Sequence, residues 1–595
     1  MQQMKLKRSS QYSIYFIFIT TLFLLVVFSG VYILSIDYDA LIASVVHNAQ
    51  KNGLENKLRN EAFTRQRFQW LQQCTYAMLG LAVVFFWLAI RFRYSIVFFC
   101  RFSMLSLRQC AKGIKNVFSA NTAGQNFVFF ACLALVSLLY TCVMLNTFLN
   151  YDEMWCYNYY TSNHFYYSFF TYSSYPFFEM TTHFFKGLPF SMKVNLRLSS
   201  VVTGIACCFL LYACLRRYFN NHFTAMAGWL VFALMPLTIL YASSARGVIH
   251  EMFFAIAVIF SFLFWAERPE EKRYLVIYCF AGILGTYAIP TNIILLFFVL
   301  VTCIFTVLRK NRQLVPLFLK VNLLMVAGIC ILYAPMLLST GLSVFNTMDG
   351  LKVPYTRIVL RWPYYLSGLL VYFAGYGYTS LILISAGYIF VLLKCRKMTP
   401  SLQRMLLVVT GLPLAVLFFF FITRLKFLGR SVAFCALGLP FLTSLLLQGA
   451  LPEFLQNRWT KNILGLAAIA SLLLLYLHFH TAENVNDKNV AGVSRLFLDK
   501  GIASCYDNTS HAAGFYYYYP GLEYYYRNAH KKIELTVAAT NSMRYKPLTA
   551  VDYDCIVFDA GATDSSRSAS FHECYRDPSG KFKIWIRNDL IKKPR

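Results

Sequence analysis

The chain has 595 residues, of which 58% are hydrophobic and only 14% charged, and its mean hydropathy is +0.52. A water-soluble protein of that composition would expose large contiguous apolar patches, so a soluble enzyme is excluded and the bilayer must be the solvent. The formal net charge of +29 would suggest nucleic acid in a soluble chain, but in a membrane protein the placement of the cations matters more than their sum.

A spanning helix needs roughly 20 mostly apolar residues, because the hydrocarbon core is about 30 Å thick and each residue rises about 1.5 Å. That criterion predicts a polytopic α-helical membrane protein with thirteen spans, near 13–35, 73–92, 126–147, 196–214, 222–242, 250–266, 272–289, 292–308, 317–337, 378–394, 404–422, 431–449 and 462–479. The first run is too long for a cleavable leader and no small-residue cleavage site follows before Ile36, so it is read as a helix.

Cations collect in alternate connections: Lys5, Lys7 and Arg8; Arg91 to Lys115; Arg216 and Arg217; Arg268, Lys272 and Arg273; Arg309 to Arg312; Lys394 to Arg404; and Arg458 with Lys461. The positive-inside rule then predicts a cytoplasmic N-terminus and an outward C-terminus. Chemistry is expected in the outward segments 36–72, 148–195, 243–249, 290–292, 338–377, 423–430 and the tail from about 481. Residues 1–124 read as a two-helix appendage with a cytoplasmic loop, 125–480 as the membrane core and 481–595 as an extracytoplasmic domain.

Segment 36–72 reads as a mixed-charge helix, and 338–377, with an apolar part too short to span, as a re-entrant or interfacial helix. In the tail, IELTVA (533–538), CIVFDA (555–560) and FKIWIR (582–587) alternate with polar turns, predicting a small α/β domain. Most of the 17 cysteines lie inside spans as small apolar residues. Cys505, Cys555 and Cys574 lie in the tail, where an oxidising compartment permits one disulfide and leaves one thiol.

The functional signal begins after the third span, in LNYDEMWCYNYY, where Asp152 and Glu153 stand at the outward membrane surface. Acids so close to hydrocarbon are costly and need a partner or a function; an acidic helix cap or an arginine partner would also account for them. The aromatic-rich loop 151–185 adds Trp155, Tyr175, His164, Glu179 and His183. It leads to Arg197 in NLRLSS; ASSARG then places Arg246 outward, and RLKFLGR adds Arg424, Lys426 and Arg430. Outward arginines oppose the positive-inside bias and require anions; jointly they suggest a phosphate site, although each alone is compatible with snorkelling.

With the acidic pair, the stretch YPFFEMTTHFFKGLP, the ASSARG turn and a Lys/Arg loop before LGLPFL, the chain resembles the GT-C glycosyltransferases over residues 125–480. The resemblance is to those related to protein O-mannosyltransferases and lipid A aminoarabinose transferases. It departs from them in having two spans ahead of the core, Arg430-Ser431 in the late loop and Tyr175-Pro176 after the acidic loop.

The resemblance implies a polyprenyl-phosphate-linked sugar donor and an envelope acceptor (lipid, glycan or protein), joined by an inverting single displacement at the outer face of a bacterial inner membrane. Asp152 is then the expected general base, with Glu153 as helper or structural acid. Arg246, Arg430, Lys426 and Arg197 are expected on the donor phosphate, Arg197 having an ion pair with the acidic loop as its alternative. Glu179, His183 and Tyr175 are secondary candidates.

No obligatory cofactor is expected; a divalent metal is compatible, but the cations can supply the charge. His164, His183 and His250 match no ligand spacing. The tyrosines of FYYYYPGLEYYYR (515–527) would suit a glycan or simple packing. The alternative is a transporter or flippase of a lipid-linked glycan, which would favour repeated halves and mid-span charges; neither is evident. A polysaccharide polymerase or ligase is a third reading, disfavoured because the acids lie in an early loop.

Overall fold

In the computed structural model the described residues are mainly 2–49, 64–161, 175–308, 311–340, 354–374, 377–424, 429–450, 485–508 and the strand regions to 591, with isolated positions between. The expected thirteenth span, 462–479, lies outside them, as do His164, Lys426 and most of 515–527.

The first helices are α1 (Gln2–Ser35), α2 (Tyr38–Ala49), α3 (Arg65–Arg91) and α4 (Arg93–Ser119), followed by α5 (Ala123–Asn146), the short α6 (Tyr151–Cys156) and α7 (Pro176–Phe185). Next come α8 (Met192–Phe219), α9 (His222–Leu234), α10 (Pro236–Ser243), α11 (Val248–Glu267), α12 (Arg273–Ala288) and α13 (Asn292–Cys303). Beyond them lie α14 (Val315–Thr340), α15 (Tyr355–Ala374), α16 (Gly377–Lys394), α17 (Pro400–Thr423), a 3-10 stretch Gly429–Leu437 and α18 (Gly438–Leu445).

Among the described residues eight helices are long and apolar enough to cross a membrane, nine if the bent pair α9–α10 counts as one span. The expected count of thirteen is therefore not confirmed among the described residues. Helices Arg273–Ala288 and Asn292–Leu308 are apolar but short of the usual length. The expected span 222–242 is broken by 60°, because Pro236 starts α10 and holds Met235 in an extended conformation.

Helix α11 is the centre of the bundle: 83% of its apolar window is buried, against 6% for α1 and for α3, which pair at the periphery. Around α11 lie α8, α12 and α13. Phe129 stacks on Tyr212 at 3.9 Å and meets Trp229 at 5.3 Å, joining α5, α8 and α9. Residues 93–119, read from sequence as a loop, form the 27-residue α4. Its buried Ser103, Ser106 and Val117, with the half-buried Cys110 and Ile114, repeat at helical spacing and face inward against α8 and α12.

The tail forms helix α19 (Val485–Lys500) and a five-stranded sheet of β1 (Ser504–Asn508), β2 (Glu534–Val537), β3 (Cys555–Asp559), β4 (Phe571–Arg576) and β5 (Phe582–Arg587), in the order β2-β1-β3-β5-β4. The pairs β1/β2 and β1/β3 are parallel, while β5 runs antiparallel to both β3 and β4. Cys505 faces Cys555 across β1 and β3, and Cys574 lies on β4. Val493, Phe497, Tyr524 and Ile584 share one apolar cluster with Leu149, Met154, Phe178, Leu196 and Ala245. The sheet domain thus packs on the end of the core that carries Leu149, Met154 and Ala245.

Close packing makes one small residue decisive. A Cβ on Gly228 would lie 2.9 Å from the Pro440 carbonyl oxygen, so Gly228→Val is expected to push α9 off α18 and destabilise the fold by about 1–3 kcal/mol. Gly124→Ala, with nothing within 4 Å, should leave detergent-phase thermal unfolding unchanged.

Candidate active site

Helix α6 starts at a capping box: the Asn150 side chain accepts from the Glu153 backbone N–H at 3.0 Å, and the Asn150 N–H donates to Glu153 Oε2 at 2.8 Å. Glu153 also accepts from Arg197 Nε at 2.7 Å, Arg197 Nη2 at 2.6 Å and the Ala245 N–H at 2.5 Å. Both side chains of the pair are buried, at 0% and 2% exposure. The remaining N–H groups of Arg197 donate to Met144 O, Thr147 O and Oγ1, and Phe148 O at 2.6–3.0 Å. Those carbonyls lie where α5 ends, which is the electronegative end of a helix.

All five guanidinium donors of Arg197 are thus engaged inside the protein, leaving none for a phosphate. Its geometry matches the alternative of an ion pair with the acidic loop. Glu153 is likewise saturated and faces inward as a structural acid. Neighbours in a helix point about 100° apart, so the same turn that buries Glu153 presents Asp152 outward with 38% of its side chain exposed.

Asp152 Oδ2 accepts from Arg430 Nη1 at 3.0 Å and is ion-paired with the largely buried Arg246. Arg246 stands in the turn between α10 and α11, where its carbonyl accepts from Ser200 Oγ at 3.3 Å. The absence of a side chain on Gly247 lets Tyr175 close on this turn, since a Cβ there would lie 2.8 Å from that of Tyr175. Burial pushes the Tyr175 phenol up to about 12, with Arg430 pulling the other way, so it stays protonated at neutral pH. Behind Arg430, the hydroxyls of Tyr241 and Tyr372 meet at 2.5 Å, tying α10 to α15.

The other candidates stand apart. Glu179 is buried in the first turn of α7. His183 Nε2 lies 3.5 Å from Ser168 Oγ, and burial, then Lys186, holds this imidazole below its usual range, so it is neutral at pH 7 and offers a phosphate no charge. His250 Nε2 meets Thr203 and Ser199 hydroxyls at 3.0 and 3.1 Å inside the core. Among the described residues no group of three or more His, Cys, Asp or Glu side chains could hold a metal.

The site contains one acid that the sequence pattern does not announce. Glu251, five residues after Arg246 in the first turn of α11, is fully buried, and neither carboxyl oxygen has a hydrogen-bond partner among the described residues. It lies within electrostatic reach of Tyr175. The available signal was an acid inside an apolar run, where burial without a partner is costly.

No protein-family profile matches the chain, and no curated protein matches it. Its fold is similar to that of ArnT from Cupriavidus metallidurans in the apo state, with a TM-score of 0.51, 13% identity and coverage of 80% of this chain and 100% of the other. The same enzyme bound to undecaprenyl phosphate aligns at TM-score 0.49 and 12% identity, covering 80% and 100% of the two chains. The Archaeoglobus fulgidus oligosaccharyltransferase complex with zinc and sulfate aligns at 0.46 and 13%, covering 76% and 73%. The chain is an integral membrane protein with a GT-C-like fold.

The pairing makes a stability prediction. Arg197→Met strands Glu153 as a buried charge and should cost about 3–5 kcal/mol, seen as a large drop in unfolding temperature. The double change Glu153→Gln with Arg197→Met should recover part of that loss.

Proposed function

We propose that this protein is a membrane glycosyltransferase that moves a sugar from a polyprenyl-phosphate-linked donor to an envelope acceptor at the extracytoplasmic face of a bacterial inner membrane. The observation that carries this reading is the convergence of Arg246 and Arg430 on Asp152 at the outward end of a GT-C-like fold. A carboxylate clasped by two guanidiniums is a site built for a second anion. An incoming phosphate competes with Asp152 for the same N–H groups.

In the proposed reaction the phosphate takes over Arg246 and Arg430, joined by Lys426, and Asp152 turns to the acceptor hydroxyl. The acceptor oxygen attacks the anomeric carbon, its proton passes to Asp152, and the carbon–oxygen bond to phosphate breaks with the electron pair leaving on the lipid phosphate. The arginines stabilise that departing charge. The protonated Tyr175 phenol is a neutral donor beside them, and Glu153 with Arg197 keeps α6 in place. The Cupriavidus enzyme solved with undecaprenyl phosphate exemplifies the donor lipid class proposed here. The acceptor is a lipid, a glycan or a protein of the envelope.

The test uses purified protein in lipid with radiolabelled polyprenyl-phosphate sugars and an extract of envelope acceptors. Asp152→Asn should lower transfer by roughly 10²–10⁴-fold, the usual contribution of a general base, while donor binding persists. Transfer by Asp152→Asn at the wild-type rate would refute the mechanism, and movement of intact donor between leaflets without transfer would make the protein a flippase. Arg246→Ala should weaken donor binding by about 1.5–3 kcal/mol, read by equilibrium binding of labelled donor. For Glu251→Gln, which keeps a neutral polar side chain of the same shape but removes the ionisable group, the expected signature is split: little change in unfolding temperature together with slower transfer.

A further inference from the structure

The end of the bundle opposite Asp152 carries a second polar site. Helix α8 runs 28 residues, about 42 Å at the helical rise, from the Arg197 end to Arg216 and Arg217. There a cavity of about 540 Å³ opens between α4, the end of α8 and the turn before α12, lined by Lys112, Arg216, Arg217, Arg268 and Arg273. The carboxylate recorded against these five cations is Glu271, which accepts from Arg268 at 3.2 Å and from Arg273.

The two central arginines are braced by neutral groups. Arg216 donates from Nε to Asn121 at 2.8 Å and from Nη1 to Asn220 at 3.1 Å. Asn220 adopts a left-handed conformation (φ 50°) that ends α8 there. The Arg217 guanidinium lies over the rings of Phe264 and Tyr274, at 4.6 and 5.4 Å from their centroids, and donates to the Tyr274 hydroxyl. Gly113 admits it against α4, since a Cβ would sit 3.0 Å from Arg217 Nη1. Asparagine, tyrosine and phenylalanine orient the cations without cancelling their charge. By contrast, Arg197 and Arg246 at the other end each face a carboxylate.

We infer that this cavity binds a phosphate-bearing anion, and that its source is the headgroup of an anionic phospholipid in the leaflet at that end. Guanidinium forks match phosphate oxygens bidentately, and the concave low-dielectric walls concentrate the field of the unneutralised charges. The lip is formed by α4, which exposes Phe98, Met104, Leu105 and Leu107 between Arg101, Arg108 and Lys112. Such a helix lies in the plane of the membrane boundary, so a headgroup reaches the cavity laterally while its chains remain in the bilayer.

The experiment measures thermal unfolding of the full chain in phosphate-free neutral detergent, titrated with phosphatidylglycerol, phosphatidylcholine or inorganic phosphate. Phosphatidylglycerol should raise the unfolding temperature and phosphatidylcholine should not. In Lys112→Gln/Arg268→Gln, both exposed positions, the midpoint concentration should rise roughly tenfold or more, while the exposed Lys394→Gln elsewhere behaves as wild type. Arg217→Gln should act in the same direction. Inorganic phosphate reproducing the shift with the same dependence on Lys112 and Arg268 would support the phosphate chemistry and overturn the lipid source. Equal responses to both lipids, or a shift unaltered in the double variant, would overturn the site.

Discussion

The ion pair between Glu153 and Arg197 is the constraint on which the Asp152 end of the molecule depends. Two charges have been taken out of water, and either one alone would cost several kcal/mol. Saturation makes the arrangement tenable: every Arg197 N–H and both Glu153 oxygens have partners drawn from the end of α5, the start of α6, α8 and the turn before α11. One node thereby sets the mutual position of four segments. Moving any of them would break hydrogen bonds between fully buried groups.

Asp152 inherits its position from that node. With its neighbour locked inward, helix geometry turns Asp152 toward Arg246 and Arg430, so catalytic presentation in the proposed reaction follows from a structural contact one residue away. The roof over this region is the C-terminal domain, whose apolar residues complete the cluster that contains Met154, Phe178 and Ala245. Tyr157 of the aromatic loop meets Tyr524 edge-on at 5.3 Å, which accounts for part of the loop's aromatic content by packing. Glu251 differs from the Glu153–Arg197 node, since neither of its carboxyl oxygens has a hydrogen-bond partner among the described residues. A buried acid without a partner is retained against stability, and such cost concentrates at functional sites.

Charge is handled differently at the two ends. The arginines Arg197, Arg246 and Arg430 are matched by carboxylates, whereas the cations around Arg216 and Arg217 are in excess and are braced by neutral side chains. This asymmetry is local chemistry superimposed on the ordinary excess of lysine and arginine on one side of a membrane protein.

The sequence by itself determined the solvent, most of the spans and the strands near 534–537, 555–559 and 582–587, because these are written in local composition and in periods of a few residues. It also offered both roles for Glu153 and Arg197 without choosing between them. Only the tertiary structure decided that choice, through partners 44 residues apart, and it brought Arg430 to Asp152 across 278 positions. The break at Pro236, helix α4 behind a run of cations, the burial of Glu251 and the placing of Cys505 opposite Cys555 on adjoining strands were equally hidden. Each depends on which side chain faces which across distant segments, and the free energy that settles it is burial and pairing in three dimensions, which no local pattern records.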